Sequence, residues 1–242
     1  MTPVEPGAYP HPHPSTRETR VGVVIPAAGS GRRMGGVRKP FLELAGEPVL
    51  LHALRPFLED PRVVTVVVAL APLEASAPPA WLTTLDPRVV LVTGGAHRGA
   101  SVSLGLAALP DALDVIVVHD AARPLVTPAV VRDCVDVAAS GVGAVAGSPA
   151  VDSMKTVDGD GFVVASPDRD TLWHAHTPQA FPAAELVRAY AMADEAATDD
   201  ATLFCDAGGR VRMVDDGGAN LKVTRHSDVA LAEAFLEGRE RS

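Results

Sequence analysis

The chain has few cysteines, few aromatic residues and no long apolar run. Its two cysteines, Cys134 and Cys205, have no CxxC spacing, which argues against a disulfide framework or a zinc site and favours reduced thiols in a cytoplasmic protein. No apolar stretch among the 242 residues approaches the roughly 18 residues that a membrane-spanning helix needs. With 47% hydrophobic and 4% aromatic residues, the composition is typical of a soluble globular protein.

Positive charge is also scarce, because 21 Lys and Arg stand against 30 Asp and Glu and give a formal net charge of -9. This balance argues against a broad basic surface for nucleic acid, and we expect neither a nucleic-acid nor a membrane partner. Any affinity for phosphate must therefore come from a local site.

The first 20 residues lack the apolar segment of a secretory signal and are rich in proline. We expect a disordered N-terminal tail over residues 1–20. The remaining residues, 21–242, are of a length that favours a single domain.

Beyond the tail, short apolar runs alternate with helical patterns. The runs predict strands at 21–26, 63–70, 88–93, 114–120 and 141–149. Helices are expected at about 48–58, 98–109, 128–139, 183–196 and 227–237, with Pro56 bending or shortening the first and Ser227 as N-cap of the last. This alternation predicts an α/β fold with a doubly wound, mostly parallel, Rossmann-like sheet. Such sheets bind ligands beyond the carboxyl ends of their strands.

One segment at about 150–170, "VDSMKTVDGDGFVVAS", interrupts the alternation. It predicts two strands around an Asp-Gly turn, a hairpin inserted into the α/β chain. An isolated hairpin is marginally stable in water, so it must pack against something. The pattern leaves open whether that is its own domain or a second subunit.

A glycine-rich basic loop, "PAAGSGRRMGGVRKPF" (Pro26 to Phe41), directly follows the first predicted strand. The dinucleotide motif GxGxxG fails at Met34, and the P-loop motif fails at Val37. No acid occurs from Val21 to Leu42. Backbone N–H groups and nearby cations predict a polyphosphate cradle, with a solvated surface turn as the alternative. The cations of this loop are Arg32, Arg33, Arg38 and Lys39.

A second candidate site lies in "VVHDAARPLV", where Asp120 follows an apolar strand. An acid at the carboxyl edge of the sheet can bind Mg²⁺, while Arg123 faces a phosphate or a sugar. The alternative is an ion pair between Asp120 and Arg123 that closes a loop. We expect His119 to pack in the core and take no part in catalysis.

These segments and four others carry a resemblance to a known family. The loop described above, "VVHDAARPLV", "DSMK", "WHAHTPQAF", "TDDATLF" and "NLKVT" occur in this order, and the chain from about Val21 to about Leu236 resembles 2-C-methyl-D-erythritol 4-phosphate cytidylyltransferases. The resemblance implies a nucleotidyltransferase fold and a reaction in which the sugar phosphate attacks the α-phosphorus of CTP and releases pyrophosphate. It also implies Mg²⁺ as cofactor, and a homodimer in which the hairpin is a dimerisation arm that completes the partner's site.

The resemblance also assigns roles to individual residues. The catalytic cations would be Arg33, Lys39 and Lys222. The nucleotide would contact Ala27, Ala28, Gly29, Gly31, Gly94, Gly95 and Ser101. The sugar phosphate would contact Asp120, Arg123, Ser153, Arg169 and Thr177, with Asp120 also binding the metal.

Two positions depart from the family pattern. Relatives often carry an acid where this chain has Ala96, and an Asp where it has Ala219. The first departure removes a contact to the base, and the second removes a possible neighbour of the metal. Two alternative functions remain open at this point: a ribitol 5-phosphate cytidylyltransferase, and a nucleotide-binding module without catalysis.

Overall fold

The computed structural model describes residues 18–29, 38–193 and 199–240. The predicted tail, up to residue 17, and the loop residues Gly31, Arg32, Arg33, Met34 and Val37 lie outside these residues. The strands of the described part are β1 (Val21–Ala27), β2 (Glu43–Leu44), β3 (Glu47–Pro48), β4 (Val63–Leu70), β5 (Val89–Thr93), β6 (Val115–Val118), β7 (Gly143–Pro149), β8 (Thr156–Val157), β9 (Val163–Ala165), β10 (Trp173–Pro182) and β11 (Val211–Asp215).

Within the described residues, a seven-stranded sheet has the order β11-β7-β10-β6-β1-β4-β5. Strand β10 runs antiparallel to both of its neighbours, and the other strands of this sheet are parallel to one another. The prediction of a mostly parallel α/β sheet is therefore confirmed. Strands β10 and β11 were not predicted, because histidines, prolines and charged residues interrupt their apolar pattern.

Helices cover both faces of the sheet. They are α1 (Val49–Leu58), α2 (Pro72–Ser76), α3 (Ala80–Thr83), α4 (Arg98–Ala107), α5 (Pro128–Ala139), α6 (Ala183–Met192), α7 (Asp200–Asp206) and α8 (His226–Glu240). Helices α1 and α5 pack on one face, and α4, α6 and α7 pack on the other. Across the described ranges, no helix has the length and apolar character that a membrane span requires.

The start of α8 corrects one prediction. The helix begins at His226, so Ser227 lies inside its first turn and is not the N-cap. The carboxylate of Asp228 instead accepts hydrogen bonds from the backbone N–H groups of Thr224, at 2.7 Å, and of Arg225, at 2.8 Å. Asp228, at the third position of the helix, thus reaches back to the N–H groups that precede it, as the acid of a capping box does.

The close packing of α4 on β1 brings the start of that helix to the carboxyl edge of the sheet. Gly105 of α4 faces Val24 of β1, and a Cβ on Gly105 would lie 2.4 Å from Cγ1 of Val24. Only glycine therefore allows this distance between helix and strand. Arg98, at the other end of α4, is held beside the ends of β1 and β6 as a result.

The predicted hairpin is confirmed as the antiparallel pair of β8 and β9. Asp158 shapes its turn by accepting hydrogen bonds from the N–H groups of Asp160 and Phe162. Residues 151–171 are exposed in the single chain. The hairpin therefore does not pack on the body of its own chain.

His119, just after β6, is fully buried and confirms the expectation that it packs in the core. Its ring lies 5.1 Å from that of Phe57. Its Nε2 lies 3.1 Å from the carbonyl oxygen of Arg123, and its Nδ1 lies 3.0 Å from Oγ1 of Thr177. These partners fit a neutral imidazole that donates from Nε2 and accepts at Nδ1. Burial lowers the pKa of His119 to about 4.

This pKa predicts an acid-dependent loss of stability. The unfolded chain binds a proton at His119 below about pH 6.5, whereas the folded chain does so only near pH 4, so the free energy of unfolding should fall by about 3 kcal/mol across that window. His119→Gln should flatten this fall, as measured by urea unfolding between pH 7 and 4.5. His174→Gln, at an exposed position, should leave the fall unchanged. An equal fall in His119→Gln and the unsubstituted protein would contradict the prediction.

Candidate active site

A cleft of about 570 Å³ opens at the carboxyl ends of β1 and β6. A neighbouring cavity of about 720 Å³, called the outer cavity below, shares Ala28, Gly95 and Ala96 with it. The described residues that line the cleft are Pro26, Ala27, Ala28, Gly29, Lys39, Pro40, Gly95, Ala96, His97, Arg98, Ser101, Asp120, Ala121, Ala122 and Lys222. Residues predicted from distant parts of the sequence thus lie together at the edge where a doubly wound sheet binds ligands.

Small residues shape the wall between the two cavities. A Cβ on Gly94 would lie 2.6 Å from Cβ of Ala28 and 3.2 Å from the carbonyl oxygen of Leu70, so any side chain at position 94 would displace its neighbours. Ser101 is buried, and its hydroxyl accepts from the N–H of Gly95 at 3.1 Å and donates to the carbonyl of His97 at 3.1 Å. The Ser101 hydroxyl is therefore bound to the loop that it shapes.

The basic loop contributes differently from the prediction. Lys39 lies in a short 3-10 helix, Lys39–Phe41, and lines the cleft. Arg38 was expected in the phosphate cradle, but its guanidinium forms a two-bond ion pair with the carboxylate of Glu74. Glu74 belongs to α2, 36 residues further along the chain. The loop itself contains no acid, so its sequence gave no sign of this ion pair. Arg38 and Glu74 line the outer cavity together.

The carboxylate of Asp120 is the meeting point of three cations. Its Oδ2 lies 2.7 Å from Nζ of Lys222 and 3.8 Å from Nε of Arg123, and its Oδ1 lies 3.1 Å from Nε of Arg98. Burial would raise the pKa of this carboxyl group, but the charges of Arg98 and Lys222 outweigh burial and hold the pKa well below its usual range. Asp120 is therefore a carboxylate at neutral pH.

Lys222 reaches Asp120 because the segment after β11 is fixed against the loop after β6. The N–H of Val223 donates to the carbonyl of Ala122 at 2.8 Å. The side-chain amide of Asn220 donates to the carbonyl of Thr177 at 2.7 Å and to Asp216 at 3.0 Å. These bonds bring the "NLKVT" lysine to the cleft from the far end of the chain.

Arg123 and Thr177 are buried beside the cleft and are not among its lining residues. Nη1 of Arg123 donates to the carbonyl of Asn220 at 2.6 Å, and Oγ1 of Thr177 accepts from the N–H of Asp120 at 3.0 Å. The ion pair between Asp120 and Arg123, considered as an alternative, is present in the structure. Both residues therefore contact Asp120 from its buried side.

Ser153 and Arg169 stand on the exposed arm, away from the cleft of their own chain. Arg169 donates from Nη1 to the carbonyl of Val151 at 3.2 Å and lies 3.7 Å from Asp170. The structure of one chain therefore does not bring these two residues to the other predicted site residues.

The acids of the described chain fit only one kind of metal site. No group of three or more His, Cys, Asp or Glu side chains that could hold a metal occurs within the described ranges. Asp120 is the acid of the described cleft lining, whereas Asp216 is buried and bound to His176 and Asn220. A single carboxylate fits Mg²⁺ that is held mainly by substrate phosphates and water.

Sequence reasoning missed three residues near the cleft: Glu74, Arg98 and Asp200. Arg98 lies between Gly95 and Ser101, which were assigned to the nucleotide, and received no role itself. Asp200 lies inside "TDDATLF", a segment that contributed to the resemblance and received no role. No local pattern links these residues, because the oppositely charged partners of each are 22 to 102 residues away in the chain.

The arrangement suits the transfer of a phosphorus-containing group. Lys39 and Lys222 place positive charge at the cleft, and the small residues Ala27, Ala28, Gly94 and Gly95 leave room for a flat ring. The described lining contains no serine or cysteine paired with a histidine base. Charge neutralisation and positioning are therefore the contributions that these residues can make.

The sequence matches a known protein family and several of its members. The model of the 2-C-methyl-D-erythritol 4-phosphate cytidylyltransferase family matches residues 21–238. The 2-C-methyl-D-erythritol 4-phosphate cytidylyltransferase of Symbiobacterium thermophilum is 44% identical over 234 residues, which are 95% of this chain and 98% of that protein. That of Aeromonas hydrophila subsp. hydrophila is 41% identical over 222 residues, or 88% of each chain.

Solved structures agree with this assignment. The 4-diphosphocytidyl-2C-methyl-D-erythritol synthase of Anaerococcus prevotii superposes with a TM-score of 0.81 at 25% identity, over 91% of this chain and 97% of that one. The 2-C-methyl-D-erythritol 4-phosphate cytidylyltransferase of Thermus thermophilus gives a TM-score of 0.74 at 32% identity, over 90% and 98% of the two chains. In sequence and in fold, this chain belongs to the 2-C-methyl-D-erythritol 4-phosphate cytidylyltransferase family.

Proposed function

We propose that this enzyme transfers the cytidylyl group of CTP to 2-C-methyl-D-erythritol 4-phosphate, releasing pyrophosphate and forming 4-diphosphocytidyl-2-C-methyl-D-erythritol for non-mevalonate isoprenoid synthesis. Family membership over residues 21–238 supports this function. The observation that carries it is that Lys222, from the far end of the chain, lines the same cleft as Gly29 and Lys39. The ribitol 5-phosphate enzyme and the non-catalytic module are not favoured by the names of the relatives or by the retained cations.

The reaction needs no general base from the protein. A phosphomonoester has a second pKa of about 6 and is mostly dianionic at neutral pH, so it is already a nucleophile. Negative charge then accumulates around the α-phosphorus and on the leaving pyrophosphate. Lys222 and Lys39, with Arg33 outside the described residues, would neutralise that charge.

Mg²⁺ is proposed as the cofactor, with Asp120 as its protein ligand. When bound, the metal would neutralise phosphate charge and orient the phosphate oxygens. Asp120 also accepts a hydrogen bond from Nζ of Lys222 at 2.7 Å. The Lys222 side chain is half-exposed, with 42% of it accessible, so it can move to an incoming phosphate without unfolding the loop.

Backbone groups must recognise much of the base, because Ala96 offers no carboxylate. The loop of Gly94, Gly95 and Ala96 lies beside Ala28 and lines the outer cavity together with it. Glu74 and Arg38 are the charged pair of the described lining there. Cytosine is proposed to bind in this cavity, with its sugar and phosphates directed toward Lys39 and Lys222.

We also propose a homodimer formed through the arm. Several large apolar side chains of the arm are exposed, Phe162 being 71% exposed, and an isolated two-stranded hairpin is marginal in water. The exposed apolar residues are Val151, Met154, Val157, Phe162, Val163 and Val164. A second subunit would cover them and would receive Ser153 and Arg169 at its sugar-phosphate site.

The free, buried Cys134 thiol is compatible with the proposed cytoplasmic location.

The activity is tested by measuring pyrophosphate release from CTP. Turnover is expected with 2-C-methyl-D-erythritol 4-phosphate and Mg²⁺, and it should be lost when EDTA removes the metal. Turnover confined to ribitol 5-phosphate would instead assign the alternative cytidylyltransferase function. No turnover with either acceptor would support the non-catalytic module.

The lysines of the cleft are tested by single substitutions. Lys222→Ala and Lys39→Ala should each raise the barrier by about 2.7 to 4 kcal/mol, or lower kcat about 10²- to 10³-fold, as the loss of one preorganised charge does in comparable sites. Arg212→Ala removes a positive charge from an exposed position on the edge strand β11 and serves as the control. A kcat of Lys222→Ala within a few fold of the control would contradict its catalytic role.

The shared site of the dimer is tested by mixing inactive subunits. Arg169→Ala and Lys222→Ala should each be nearly inactive alone. Co-expression should restore about one quarter of the activity, because half of the dimers then contain one site with both residues intact. No recovery from a confirmed mixed dimer would place Arg169 in the site of its own chain, and a strictly monomeric active enzyme by light scattering would refute the dimer.

A further inference from the structure

The segment "TDDATLF" contains a buried carboxylate for which the reaction gives no role. Asp200, the first residue of α7, is fully buried. Its two oxygens accept from Nη1 and Nη2 of Arg98 at 3.0 and 2.7 Å, and its Oδ1 also accepts from the hydroxyl of Tyr190. A buried carboxylate needs such partners, because leaving it unpaired is costly.

Arg98 connects this buried carboxylate to the cleft. It is the first residue of α4 and lines the cleft, and its Nε donates to Oδ1 of Asp120 at 3.1 Å. The guanidinium is planar, so a two-bond pair with Asp200 also fixes the direction of the Nε–H group. Asp200 therefore determines where Arg98 can hold Asp120.

Arg98 does not have the features of a phosphate ligand, although it lines the cleft. All three of its nitrogens already bind carboxylate oxygens. Its single positive charge is also opposed by the two negative charges of Asp120 and Asp200. Lys222, by contrast, makes one bond to Asp120 and has a half-exposed side chain.

We propose that Arg98 is a positioning residue, fixed by Asp200, that holds Oδ1 of Asp120 and leaves Oδ2 directed at Lys222 and the cleft. Thr177 fixes the backbone of the same residue, because its Oγ1 accepts from the N–H of Asp120 at 3.0 Å, while Arg123 lies 3.8 Å from Oδ2 on the buried side and makes no hydrogen bond to it. Asp120 thus has one fixed oxygen and one oxygen whose partner can change when substrates bind. This role rests on the proposed function, since it concerns how Asp120 serves that reaction.

The test separates positioning from a purely structural ion pair. Arg98→Gln leaves Asp200 as an unpaired buried charge, so it should lower both the stability and kcat. The double variant Arg98→Gln/Asp200→Asn removes both buried charges together and should recover most of the stability. We expect its kcat to stay about 10- to 100-fold low, because a misplaced catalytic group costs up to about 10² in rate, while Kd for CTP stays within about threefold.

A matched control exists at the amino end of β4. Arg62 bridges Asp60 and Asp136 in the same manner, away from the cleft. Arg62→Gln and Arg62→Gln/Asp60→Asn should change the urea midpoint and leave kcat unchanged. Arg98→Lys should not rescue kcat, because an ammonium group cannot reproduce the fixed fork.

Other results would overturn the proposal. Recovery of kcat together with stability in the double variant would show that the pair is only structural. A weakening of CTP binding well beyond threefold, at normal kcat, would make Arg98 a nucleotide ligand. All rates are measured relative to the unsubstituted enzyme, with the polyol phosphate that this enzyme uses. If the proposed acceptor is wrong, the unsubstituted enzyme will show no turnover with it. The ratios between variants do not depend on which acceptor is correct.

Discussion

The site depends on the charge balance around one carboxylate, that of Asp120. Its cationic partners come from α4, from the turn after β6 and from the segment after β11. If the carboxylate were neutral, three cations would face one another in a partly buried space, and their mutual repulsion would separate the segments that carry them. The sheet brings these segments to one edge, but the pairing with Asp120 sets the distances between them.

The overall fold was predictable because most of its strands and helices are specified by patterns within short stretches of the sequence. Buried parallel strands such as β4 are continuous apolar runs, and helices such as α5 have a regular apolar stripe bounded by Thr127 and Ser140. Strand β10 escaped prediction because its exposed first half carries histidines, and only its second half, from Thr177, is buried between β6 and β7. Its direction follows from tertiary packing and not from its own residues.

The site was predictable only where a motif places a residue next to a strand end. Asp120 lies two residues after the end of β6 and needs no other information, whereas Lys222 was assigned through the family resemblance. Arg38 shows the opposite case, since a cation in a loop without acids looks available for phosphate until the fold brings Glu74 beside it. The pairs that decide which charges are available join residues far apart in sequence, and single-chain patterns contain no signal for them.

The two kinds of cation at Asp120 suit different tasks. Arginine presents a rigid, planar fork that can satisfy two carboxylates at once, and Arg98 does so between Asp120 and Asp200. Lysine is a compact charge on a flexible stem, so Lys222 can exchange one oxygen partner for another with little change in geometry. If arginine stood at 222, its broader contact with Asp120 would compete more strongly with an incoming phosphate. In the proposed reaction, a fixed arginine and an exchangeable lysine on one carboxylate would therefore keep the cleft preorganised and leave a positive charge available to the nucleotide.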